Sequence, residues 1–195
     1  RWNPSTTMKC AIFEENGNRH DMQRVLGHVT LQNAVRRMGD FVLTSCAANA
    51  LQPYRQNDNG WDQGQVFFTP SQVWGMPPYY AQQMAAAHHR PLTVGCGVEG
   101  ADGVLDVTAT RSREAGSVVL HIANTGAEPL RVGLRVDGMG KVSQARMVSL
   151  SGDLDAVNTP EEPRRIAPVG RELPAWAAQT VDIAPYSYTI VVLDE

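Results

Sequence analysis

Apolar positions along this chain obey two different rules, and the change comes near residue 90. In the first part, residues 9–14 (KCAIFE) and 41–46 (FVLTSC) are short apolar runs of the kind shown by strands covered on both faces. Between them, from Asp21 to Met38, apolar residues fall at Met22, Val25, Leu26, Val29, Ala34, Val35 and Met38, near the roughly 3.6-residue period of a helix. Gly39 follows, where a left-handed C-terminal cap belongs. A polar loop over 52–64 leads to a third apolar run, 65–68, and a second helix is predicted over about 78–89, with proline in its first turn. This β/α order predicts parallel strands.

Beyond His89 the spacing shortens. Residues 92–96, 104–110, 117–124, 130–137, 142–149, 179–184 and 188–193 are rich in β-branched residues, and turn signals such as Asn124-Thr125-Gly126 and Asp137-Gly138 separate them. Short strands so spaced predict an antiparallel β-sandwich over residues 90–195. The proline-rich stretch 151–176 has little periodicity and reads as an extended excursion across that sandwich. Residues 1–89, by contrast, offer two βα units whose sheet would keep open edges. They look like the end of a (β/α)8 TIM barrel, with its earlier units upstream of Arg1, on the same or a separate chain. In such a barrel catalytic groups sit at the C-terminal ends of the strands, and Glu14 occupies one such place.

Composition narrows the field without deciding it. The 195 residues are 43% hydrophobic and 19% charged, with a formal charge of -3 and a pI near 6.0, as in an ordinary globular protein. That balance gives no footprint for nucleic acid. No apolar run approaches the roughly 20 residues of a membrane helix. Cys10, Cys46 and Cys96 form no CxxC pair and lie in apolar runs, which predicts buried thiols rather than ligands or disulfides. No signal peptide is present, so extracellular, periplasmic and cytoplasmic locations all stay open, as does self-association into a homo-oligomer.

Candidate chemistry centres on Glu14 and Glu15. Successive strand residues point to opposite faces, so the two cannot enter one site as equals. One is a catalytic carboxylate, or both are solvated charge ahead of the helix. Asn16, Asn18, Arg19 and His20 follow directly, and the 52–65 region adds Gln52, Asn57, Asn59, Trp61 and Gln65. Amides bind hydroxyl groups and an indole packs on a sugar's C–H face, so this loop suits a carbohydrate; it equally suits a solvated surface. His88-His89 reads as a helix end, and His20 and His28 lack the i, i+4 spacing of a metal pair; no metal or cofactor is expected. No GxSxG, P-loop or GxGxxG motif occurs, and Ser45-Cys46 reads as core rather than nucleophile.

Several stretches, in order, resemble a known family. These are EENGN, VRRMGDFVL, NDNGWDQGQVFF, SQVWGMPPYYAQQM, SGDLDAVNTPEEP and AAQTVDIAPYSYTIVVL. Together they resemble the C-terminal region of α-L-arabinofuranosidases of glycoside hydrolase family 51 over nearly the whole chain. The resemblance implies a TIM barrel followed by a jelly-roll type sandwich, and a retaining hydrolase that releases terminal arabinofuranose from arabinan or arabinoxylan. The family's nucleophile is a Glu ending the seventh barrel strand. Laid on AIFEEN, that pattern puts Glu14 on the nucleophile, Asn16 on the pattern's Asn, and Glu15 where relatives carry Tyr or Trp. Gln65, taken as opening the eighth strand, matches a substrate-contacting Gln, and Trp61 matches a loop Trp.

Retention needs two carboxyl groups about 5 to 5.5 Å apart. The family's second one lies in a G-N-E motif, which this chain lacks, so residues 1–195 alone are expected to be inactive. Two alternatives remain: a non-catalytic carbohydrate-binding or spacer sandwich, and a related barrel glycosidase such as a β-xylosidase or endoglucanase.

Overall fold

The computed structural model describes residues 5–56, 62–101, 103–114, 116–174 and 180–195. β1 (Cys10–Glu15) and β2 (Val42–Ala47) lie side by side in parallel, joined by α1 (Met22–Arg37). Helix α1 starts where Asp21, still in extended backbone, accepts the Arg24 amide on its side chain, and Gly39 takes a positive φ of 60° just past its end. The next strands form a separate three-stranded sheet: β3 (Leu51–Pro53), β4 (Val66–Phe68) and β5 (Val73–Gly75). The 65–68 run, expected as the next strand of the parallel series, thus pairs with β3 and β5 instead, while β2 is the neighbour of β1. Helix α2 (Pro77–Ala87) carries its prolines in the first turn.

The remaining strands build the sandwich. These are β6 (Leu92–Val94), β7 (Leu105–Arg111), β8 (Ser117–Asn124), β9 (Leu130–Gly133), β10 (Gln144–Ser151), β11 (Val169–Glu172), β12 (Thr180–Ile183) and β13 (Ser187–Asp194). One sheet has the antiparallel order β11-β10-β13-β8-β7-β6; β12 and β9 form a second. β11 lies inside the stretch read as an excursion, and its Val169, Gly170, Arg171 and Glu172 pair with β10, so that β11 forms the edge of the sheet. Sequence pattern missed it because all four residues are exposed, leaving no alternation to see.

The central strands are buried on both faces, which explains their unbroken apolar spelling. One face of β8 and β13, with Val119, Ala123, Tyr188, Ile190 and Val192, packs on Met22, Val25 and Val29 of α1 and Tyr80, Ala81 and Met84 of α2. The opposite face, with Leu120, Ile122, Val191 and Leu193, packs on Val181 and Ile183 of β12. The stretches before and after residue 90 therefore share one core. The segment around 152–167 straps them together: Leu154 accepts the Gln23 amide at 2.8 Å, and the buried Asn158 donates to the Gly75 carbonyl at 2.8 Å. No described helix is long and apolar enough to cross a membrane.

The cysteine expectation needs correction. Cys10 is only half-buried, while Cys46 and Cys96 are exposed. Cys46 points to the uncovered face of β2, and Cys96 lies beyond the end of β6.

Candidate active site

Cys10, Ile12 and Glu15 of β1 are the more buried residues, whereas Ala11, Phe13 and Glu14 are exposed. Strict alternation would group Glu14 with Ile12. The pairing with β2 explains the difference: the register slips between Ile12, opposite Ser45, and Glu15, opposite Ala47. One extra residue on β1 turns Glu14 to the open side and Glu15 toward α1, as a bulge near a functional site re-aims a side chain.

Glu15 is 7% exposed. Its Oε1 meets His28 Nδ1 and its Oε2 accepts the Ser45 hydroxyl at 2.9 Å. Burial alone would raise its pKa, but the bonds from His28 and Ser45 and the nearby Arg24 charge hold it below the usual value. Arg24 Nε donates to His28 Nε2 at 2.6 Å. The same guanidinium donates to the carbonyls of Ala48 at 2.5 Å, Arg19 at 3.1 Å and Gln63 at 3.2 Å, binding together the chain ends that leave β1 and β2.

Gln63 completes this bracing. Wholly buried, it accepts the Gly17 amide at 2.8 Å and donates to Asn16 Oδ1 at 3.1 Å and Asn49 Oδ1 at 3.4 Å. Gly17 has no room for a side chain, since a Cβ would stand 2.8 Å from Arg24 Cδ. Gln52, a candidate sugar contact by composition, is spent on its own loop: it donates to Asp62 at 2.9 Å and accepts the Gly64 amide at 2.8 Å.

Of the site residues singled out by sequence, Glu14 stands at the C-terminal end of β1 on its open side, and among the described residues nothing bonds its carboxylate. Asn16 lies two residues on, held by Gln63. Gln65 is joined to this rim through its backbone amide, which donates to the Asn49 carbonyl at 3.0 Å; both polar atoms of its side chain are buried without a partner among the described residues. Trp61 lies outside the described residues. Arg24, His28 and Gln63 were missed. The first two carried a signal, being polar at i and i+4 beside the apolar positions Met22, Val25 and Val29 of the helix; Gln63 carried none. His88 ends α2 as expected, its ring nitrogen 2.8 Å from the Met84 carbonyl.

The same arrangement of helices and sheets occurs in solved enzymes. An arabinose-bound family 51 α-L-arabinofuranosidase, MgGH51, superposes with a TM-score of 0.77 at 21% identity over 91% of this chain and 28% of that one. The thermostable family 51 enzyme of Thermotoga petrophila RKU-1 gives 0.79 at 18% identity, over 95% and 43%. The α-L-arabinofuranosidase of Thermotoga maritima, in an arabinose complex, gives 0.73 at 18%, over 94% and 40%. The chain therefore spans less than half the length of each. No curated protein sequence matches it. The fold is thus that of the C-terminal region of these glycoside hydrolases. More narrowly, residues 5–187 match the α-L-arabinofuranosidase C-terminal domain profile, and the chain belongs to that family.

Proposed function

We propose that the chain is the C-terminal part of a retaining α-L-arabinofuranosidase acting on arabinose-containing oligo- or polysaccharides, and that it supplies the nucleophile, Glu14. In this reading residues 1–89 close a TIM barrel begun upstream, and residues 90–195 form its attached sandwich. The observation that carries it is the register slip in β1, which leaves one carboxylate, Glu14, on the open side of a strand's C-terminal end with no bond among the described residues, while its neighbour is buried and bonded. Phe13 and Leu43, 79% and 69% exposed, support the barrel. They lie on the uncovered face of a two-stranded parallel sheet, and parallel sheets are stable when covered on both sides.

Glu14 attacks the anomeric carbon as a carboxylate, forming an arabinosyl ester as the glycosidic bond breaks; the leaving oxygen takes a proton from a second carboxylic acid upstream. That second group then accepts a proton from water as water cleaves the ester. Gln65 and Asn16 hold sugar hydroxyls. The chain alone lacks the acid/base and hydrolyses nothing.

The test is chemical rescue in the complete enzyme. Glu14→Ala is expected to abolish hydrolysis of nitrophenyl α-L-arabinofuranoside, and azide is expected to restore turnover with an arabinosyl azide of inverted configuration. Retained activity in Glu14→Ala, or a preference of the wild type for the xyloside, would overturn this reading.

A further inference from the structure

Resting on that reading of Glu14, we propose that Glu15 is a positioning residue for the reaction: its buried carboxylate, gripped by His28 and Ser45, sets the register slip that turns Glu14 toward substrate. The grip has a fixed direction. Arginine can only donate, so the 2.6 Å contact makes His28 Nε2 an acceptor and leaves its proton on Nδ1, facing Glu15 Oε1. Ser45 donates to the other oxygen from β2 at 2.9 Å. Both donors need an acceptor at this point, and the neighbouring carboxylate is the competitor. If β1 resumed strict alternation, Glu14 would face α1 in place of Glu15 and would be withdrawn from the open side. The order of two adjacent glutamates is thus decided by which one answers His28. Of the aromatic residues the resemblance places here, Trp cannot accept these protons and Tyr offers one hydroxyl oxygen, whereas the Glu15 carboxylate meets both donors.

Steady-state kinetics of the complete enzyme on nitrophenyl α-L-arabinofuranoside, at a temperature where circular dichroism shows every variant folded, test the proposal. Glu15→Gln, which keeps shape but offers one acceptor oxygen instead of two, is expected to lower kcat about 10- to 100-fold with KM within about two-fold, as misaimed reacting groups do. Ser45→Ala removes one donor and is expected to lower kcat by a smaller factor; it serves alone if Glu15→Gln does not fold. A lowered melting temperature with unchanged kcat in these variants would show a merely structural role and overturn the proposal while leaving Glu14 as nucleophile. Full activity in Glu14→Ala would instead remove the reading on which it rests.

Discussion

Thr108 of β7 donates its hydroxyl to Asn33 Oδ1 of α1 at 2.8 Å, deep in the seam between helix and sandwich. Asn33 is fully buried, and its amide is satisfied at both ends: the nitrogen donates to Asp106 Oδ1 at 2.9 Å, and the oxygen also accepts from Arg36 at 3.0 Å. Asn33→Leu would leave the Thr108 hydroxyl and the Arg36 donor without this partner. A destabilisation of about 2 to 4 kcal/mol is expected in urea titrations. A change below about 0.5 kcal/mol would mean that the seam does not hold the helix.

His121 makes stability depend on pH. Burial, followed by the positive charges of Arg36, His88 and His89, lowers its pKa from 6.5 to about 2. The unfolded chain takes up the proton below about pH 6.5 and the folded chain does not, so the stability it contributes is full above that pH and falls as pH drops. The expected loss is about 1.4 kcal/mol for each pH unit below 6.5. His121→Phe, which preserves a ring against Tyr188, should flatten this slope. Melts at pH 7, 5.5 and 4 would check it, and equal slopes in both proteins would refute the assignment.

Gln65 should separate stability from binding. Its buried side-chain amide has no partner among the described residues, so Gln65→Met is expected to leave the chain as stable or to raise stability by about 1 kcal/mol. In the complete enzyme the same change is expected to raise KM about ten-fold or more, through the lost hydroxyl contact. A large loss of stability with KM unchanged would assign the residue to the scaffold.

The periodic elements were legible because their physics is local. Asp21, Gly39 and the apolar face of α1 bound one helix closely, and all seven runs beyond residue 90 contain a strand. Glu14 and Glu15 do face opposite sides, but which of them faces α1 is read from the register slip in the pairing of β1 with β2, and the partner of Glu15 is a histidine thirteen positions away. Such long-range partners leave no spacing to read. The exposed Cys46 was misread for a related reason, since an apolar run tells of one covered face without saying whether the other face has a cover.

Strand β13 follows all the other described strands in sequence, yet it lies between β10 and β8 within the six-stranded sheet. During synthesis on the ribosome, β8 and β10 must therefore wait unpaired along these edges until residues 187–194 have emerged. Over that interval the nascent chain exposes two adhesive strand edges and the apolar face meant for α1. A variant lacking residues 187–194 would accordingly divide the sheet in two, and its product would be a substrate for chaperones and proteases rather than a shortened version of the same protein.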